Sequence, residues 1–151
     1  MKLISVRINS MKEMHYTTEQ IFAPLYIGFY KGFRYAVVSY GNHPCCYVAL
    51  ESNHPYYEVQ YDDIFLYCHG GLTYSNFGLG GFESNCVIFS DSYWVIGWDY
   101  AHCGDFIKLP QISARSKELG RRWSTEELMI DCKNVIEQLD FISKIKEKIY
   151  A

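Results

Sequence analysis

The chain has 151 residues, 49% of them apolar, and a net charge of −3. That is enough chain for one domain over residues 1–151 with a real core, and too much apolar content for a disordered segment. The charge excludes a general nucleic-acid footprint, and no apolar run approaches the roughly 20 residues of a membrane-spanning helix.

Lys2 to Asn9 alternates well enough to predict a first strand. The opening Met1-Lys2-Leu3-Ile4-Ser5-Val6-Arg7 carries a charge inside its apolar run and no cleavage site, so it does not read as a signal peptide. Thr17-Thr18-Glu19-Gln20 is compatible with a short helix start, ended by Pro24. Tyr26–Tyr30 and Phe33–Tyr40 predict two strands around a Lys31-Gly32 turn. Gly41-Asn42-His43-Pro44 is dense in turn formers, and Cys45–Leu50 returns as a third strand. Three strands on tight turns predict an antiparallel meander. Glu51 to Asp63 has no helical period and reads as a long polar and aromatic loop, of the kind that often serves function.

Ile64-Phe65-Leu66-Tyr67 and Tyr93-Trp94-Val95-Ile96-Gly97 read as buried strands. Each runs into a polar cluster: Cys68-His69-Gly70-Gly71-Leu72-Thr73-Tyr74-Ser75 after the first, Trp98-Asp99-Tyr100-Ala101-His102-Cys103-Gly104-Asp105 after the second. Between them, Gly78, Gly80 and Gly81 predict a mobile turn rather than a phosphate cradle, because no glycine-rich phosphate-binding pattern is present. Phe106 to Gly120 reads as irregular. Arg115, Lys117, Arg121 and Arg122 form a local basic set there, a solvated face or else a rim for an anionic ligand.

The last element is a helix. Ser124 with Glu127 makes a capping box, and Trp123 with Leu128 the matching hydrophobic staple. Leu128, Cys132, Val135, Ile136, Leu139, Ile142 and Ile149 recur at helical spacing, which marks the face that docks on the sheet. The fourteen tyrosines and nine phenylalanines suit half-buried sheet faces and contact surfaces, since each tyrosine joins an apolar ring to a polar tip. The six cysteines include no Cys-x-x-Cys pair and sit mostly in apolar runs. They read as reduced thiols of a protein in the cytoplasm of its host cell.

The two polar clusters carry the chemistry. Asp99, His102 and Asp105 are spaced by three, so they share one face of a helical turn or converge in a tight loop. A carboxylate beside an imidazole fixes its tautomer and raises its basicity, which serves a general base or a metal site. The plainer reading is an Asp99 cap with a hydrogen-bonded histidine. His69 is either a site group or a strand histidine bonded to neighbouring backbone. Gly70 and Gly71 can offer N–H groups to an anion, and Thr73 and Tyr74 add hydroxyls. A hard divalent cation would take Asp99, Asp105 and Asp62 or Asp63. Zinc on Cys68, His69, His102 and Cys103 lacks the usual spacing, and nothing marks Cys68 or Cys103 as an exposed nucleophile.

His54-Pro55, Tyr61-Asp62-Asp63-Ile64, the His69–Ser75 stretch His-Gly-Gly-Leu-Thr-Tyr-Ser, the Trp94–Asp105 stretch and the Trp123–Glu127 helix start together resemble a family of small proteins of phages, prophages and bacteria. The resemblance covers roughly the last two-thirds of the chain. It implies an accessory role, such as countering host antiviral defence, and assigns no catalytic residue.

These readings combine into an α+β domain, a twisted and mostly antiparallel sheet with the C-terminal helix on one face. His69, Asp99, His102 and Asp105 are expected to line a catalytic or ligand-binding pocket at one end of the sheet, closed by the 51–63 loop. Gly70, Gly71, Thr73, Tyr74, Asp62 and Asp63 are its expected ligand contacts, and a divalent metal is an open option. The expected partner is a small polar ligand, a nucleotide signal among them, bound for sequestration or hydrolysis. The alternative is an inhibitor that touches a host defence protein through surface tyrosines such as Tyr56 and Tyr57, with the polar clusters structural.

Overall fold

A computed structural model describes residues 22–80, 87–107 and 120–150. The strand expected over Lys2–Asn9 and the helix start at Thr17–Gln20 lie outside these residues, as does most of the 106–120 stretch.

Three strands form the expected meander: β1 (Ala23–Tyr30), β2 (Phe33–Ser39) and β3 (Pro44–Leu50). Lys31 and Gly32 join β1 to β2 with φ of 48° and 83°. Two consecutive left-handed residues give the two-residue hairpin whose twist matches that of its strands. β4 (Tyr74–Gly80) and β5 (Val87–Asp99) complete a five-stranded sheet in the order β1-β2-β3-β5-β4, with every neighbouring pair antiparallel. The structure is therefore α+β, an open antiparallel sheet with one C-terminal helix against it.

That helix, α1 (Thr125–Tyr150), starts as its sequence dictates. The Ser124 hydroxyl accepts the Glu127 N–H at 3.2 Å and the Glu127 carboxylate accepts the Ser124 N–H at 3.2 Å. Such a cap contributes about 1 kcal/mol. Leu128, Cys132, Val135, Ile136 and Leu139 are buried against Tyr35, Val37, Cys46, Val48, Trp94, Ile96 and Trp98, while Ile142 is only half-buried. Each fully buried aliphatic side chain here adds about 1.5–3 kcal/mol. Residues that alternate with these on the strands face the other way. Ala36, Val38, Cys45, Tyr47, Ala49 and Val95 form a second apolar layer, flanked by Phe22, Tyr40, Tyr74 and Tyr93. β3 is buried at every position, which is why its sequence reads as a continuous apolar run.

Two sequence expectations fail. Ile64–Tyr67 belongs to no strand. Ile64 is buried and Leu66 half-buried, whereas Phe65 and Tyr67 are 86% and 90% exposed. The side-chain amide of Gln138 accepts the Tyr67 N–H at 2.7 Å and donates to the Tyr67 carbonyl at 2.8 Å, so a helix residue stands in for a neighbouring strand. The glycines between the clusters, read as a mobile turn, lie instead in edge strand β4. Gly78 takes a φ of 72° where the β4–β5 register shifts, which is the geometry of a bulge. Gly81 lies outside the described residues. β5 is also longer than the Tyr93–Gly97 run predicted.

Candidate functional site

β5 ends at Asp99, and the chain turns at once. The Asp99 carboxylate accepts the Ala101 N–H at 3.1 Å. Asp105 Oδ2 accepts the His102 N–H at 3.0 Å, and the Asp105 N–H returns to the His102 carbonyl at 2.9 Å. Short polar side chains bonding their own nearby backbone make this a tight turn, the local mechanism behind the spacing of three. The turn is stapled to the approach of α1. The Phe106 N–H bonds the Arg121 carbonyl at 3.0 Å and the Arg121 N–H bonds the Gly104 carbonyl at 2.7 Å.

The structure brings His69, Asp99, His102 and Asp105 together. His69 Nε2 lies 2.7 Å from Asp105 Oδ2, and the Trp123 indole N–H donates to Asp105 Oδ1 at 2.9 Å. The Asp105 side chain is only 3% exposed, that of His69 26%. Burial alone pushes the Asp105 carboxyl upward, but hydrogen bonds from His69, Trp123 and the His102 N–H outweigh it and hold the group below its ordinary value. An ionised Asp105 accepts, so His69 Nε2 carries the proton in the neutral ring and Nδ1 is its lone-pair atom. Among the described residues, Nδ1 has no hydrogen-bond partner. The ring is stacked on Tyr100 at 4.6 Å and meets Trp123 edge-on at 5.0 Å. Tyr100 is fixed in turn: its hydroxyl accepts the Trp98 indole N–H at 3.0 Å and donates to Asp131 at 2.5 Å.

His102 is placed differently. Its Nε2 is 3.1 Å from Asp99 Oδ1, yet it is buried and misaligned for a hydrogen bond. What covers it is backbone. A Cβ on Gly70 would stand 2.1 Å from that nitrogen, so Gly70, at φ 69°, is pressed against the imidazole face. His102 also meets His69 edge-on at 5.6 Å. Thr73 donates to Asp99 Oδ2 at 3.2 Å. Two imidazole–carboxylate contacts thus touch at one end of the sheet, and the Asp105 bond to Nε2 of His69 leaves the Nδ1 of that ring open.

The other expected contacts fare less uniformly. The Gly71 N–H is used in a turn to the Cys68 carbonyl at 3.1 Å, so it is not offered to an anion. Tyr74 bonds the Gly78 carbonyl at 3.2 Å. Asp62 and Asp63 are exposed in a single 3₁₀ turn (Tyr61–Asp63), and none of their hydrogen bonds or ion pairs reaches the four site residues. Among the described residues no group of three or more His, Cys, Asp or Glu side chains is arranged to hold a metal ion. Cys45, Cys46, Cys68, Cys103 and Cys132 are free thiols, and Cys86 lies outside the described residues. Burial pushes the Cys68 thiol up to about 12, which keeps it protonated and argues against a nucleophile there, while Cys103 is exposed in the turn.

The 51–63 loop does not close this site. It leaves β3 at Leu50, opposite Trp94, whereas Asp99 lies at the far end of the same pairing, opposite Cys45. His54 anchors it: Nε2 lies 3.0 Å from the Leu139 carbonyl, and Nδ1 accepts the Tyr56 N–H at 3.0 Å. Tyr57 donates to the Ser92 carbonyl at 3.0 Å. Burial lowers the His54 pKa below its ordinary 6.5, more than the Leu139 carbonyl raises it. A depressed folded-state pKa means stability that is complete above 6.5 and lost as pH falls through the folded value. Urea titrations should therefore show stability declining below pH 6.5 in the parent, with that decline reduced in His54→Gln. An unchanged slope in the variant would assign the acid sensitivity elsewhere.

Trp123 and Tyr100 are site residues that the sequence does not single out, and Gly70, expected as a ligand contact, is instead packed against the His102 ring. Trp123 had a visible role as a helix staple, but nothing local links it to Asp105. Of the basic set, Arg121 is stacked on Trp123 at 3.7 Å and paired with Glu127, and Arg122 is stacked on Phe106 at 4.1 Å. No family model, curated protein or solved structure matches the chain.

Proposed function

We propose that the protein binds a small polar ligand at this end of the sheet and that His69 exchanges a proton with it. The reading rests on one observation: a buried carboxylate held by three donors fixes Nε2 of His69 and leaves Nδ1 open. In that arrangement Nδ1 takes a proton from a ligand hydroxyl or an attacking water, and ionised Asp105 stabilises the resulting imidazolium. Asp99 and His102 form the adjoining wall. Nucleotides are the ligand class to test first, bound for sequestration or hydrolysis by a phage-type accessory protein that counters host defence. Nucleoside phosphates and cyclic dinucleotides should be screened by calorimetry and product chromatography. The expected result is binding or turnover that falls at least tenfold in His69→Gln, a variant that stays folded. Undiminished activity in that variant, or no response to any nucleotide, would reject this reading.

A contact inhibitor of a host defence protein is favoured by a separate observation. Phe65 and Tyr67 present almost fully exposed rings from a backbone clamped by Gln138. Rigid exposed aromatic side chains are the usual anchors of protein interfaces. Tyr56 and Tyr57, expected to play this part, are half-buried and bonded to the Phe65 and Ser92 carbonyls. Phage-challenge assays in a defended host separate the two. Loss of protection in Phe65→Ser/Tyr67→Ser with retention in His69→Gln supports contact inhibition, and the reverse supports the ligand reading.

A further inference from the structure

A cleft of about 340 Å³ opens on the sheet face turned away from α1, between the β2–β3 turn and the start of β4. Its walls are aromatic. Tyr47 lies flat across the sheet because its β5 partner is Gly97, where a Cβ would stand 2.4 Å from the Tyr47 ring. Tyr74 meets Tyr47 edge-on at 5.3 Å, and the Tyr40 and Tyr47 hydroxyls share a hydrogen bond at 2.6 Å.

Among its polar groups, two acceptors are incompletely used. Asn42 Oδ1 is buried and has no hydrogen-bond partner. Unpaired buried acceptors are uncommon and costly, so this one calls for a donor. Asp99 lines the same cleft. Its Oδ2 receives only the Thr73 hydroxyl, which leaves a lone pair for another donor. Among the described residues no lysine or arginine lines the cleft, and its one imidazole, His43, has Nδ1 turned to the Pro44 carbonyl at 3.3 Å. Tyrosine faces and a carboxylate together suit a cation.

We propose that this cleft binds a small organic cation, an amine or amidinium on a compact apolar body. The N–H groups reach Asn42 and Asp99, and the body lies against Tyr47 and Tyr74. The site goes beyond the acid–base reading and does not depend on His69.

Benzamidine is a suitable probe, with benzamide and benzoate as its neutral and anionic counterparts. Titration at pH 7 is followed by tryptophan fluorescence and by the amide shifts of Asn42, His43 and Cys45 to Tyr47. Benzamidine should bind saturably at one site per chain, and benzamide and benzoate at least tenfold more weakly. Asp99→Asn should weaken benzamidine at least tenfold. Asn42→Asp removes the amide donor and adds a charge at a turn position, and should tighten binding several-fold. His69→Gln should bind benzamidine like the parent, so failure of the acid–base reading leaves this one standing. Absence of saturation at millimolar benzamidine, equal binding of benzamide, or weaker binding in Asn42→Asp would overturn the proposal.

Discussion

Replacing Asp105 by alanine is expected to lower the unfolding free energy by about 3–5 kcal/mol. Its carboxylate joins three separate segments, through His69, the His102 N–H and the Trp123 indole. Alanine leaves the indole and amide donors buried without an acceptor, each costing about 1–3 kcal/mol, while the partly exposed His69 recovers some loss through water. Asp105→Asn should cost less, because its carbonyl still serves one side. Acid provides a second check. The Asp105 carboxyl is held below its ordinary 3.8, so its contribution is complete above that pH and lost as pH falls through the folded value. Parent and Asp105→Ala stabilities should therefore converge below pH 3.8. A loss under about 1 kcal/mol at neutral pH in denaturant titration would mean that the carboxylate does not tie these segments together.

Gly70→Ala should cost about 2–5 kcal/mol, for two separable reasons. An alanine at φ 69° carries left-handed strain of about 1–2 kcal/mol. Its Cβ would also stand 2.1 to 2.6 Å from three atoms of the His102 ring, which has to leave Asp99 and the edge of His69. Gly71 is the natural control. It has φ 84° with nothing within 4 Å of its Cβ position, so Gly71→Ala should show the strain alone. Equal losses in the two variants would show that Gly70 does not pack on His102. In NMR spectra, the His102 ring resonances should move in Gly70→Ala and stay in place in Gly71→Ala.

What was legible in the sequence is what local chemistry decides. The Lys31-Gly32 hairpin and the Ser124–Glu127 cap each depend on residues within one turn of each other. The convergence of Asp99, His102 and Asp105 follows from side chains bonding nearby backbone. The misread segments fail for a shared reason. Alternation along Ile64–Tyr67 reports which residues face inward, but not that a helix side chain takes the place of a strand partner. The glycines of β4 suggest a turn because composition carries no information on pairing with β5. Tyr100 and Trp123 enter the site only through contacts across the fold, and no spacing announces them; Gly70 stands out beside His69, but its packing on His102 does not. The 51–63 loop was set over the site because the sequence does not say from which end of β3 it departs.

The strand order carries a kinetic consequence. β1, β2 and β3 are joined by short turns, so their pairing closes only small loops. β3 pairs next with β5, after the whole 51–86 stretch has intervened, and that closure has the larger entropic cost. Asp99 and the turn to Asp105 continue directly from β5. The meander can thus collapse early while the residues that surround His69 remain unassembled. Formation of the His69–Asp105 pair then reports the late, long-range step of folding, and any species arrested at the meander stage has a hydrophobic sheet but no assembled dyad.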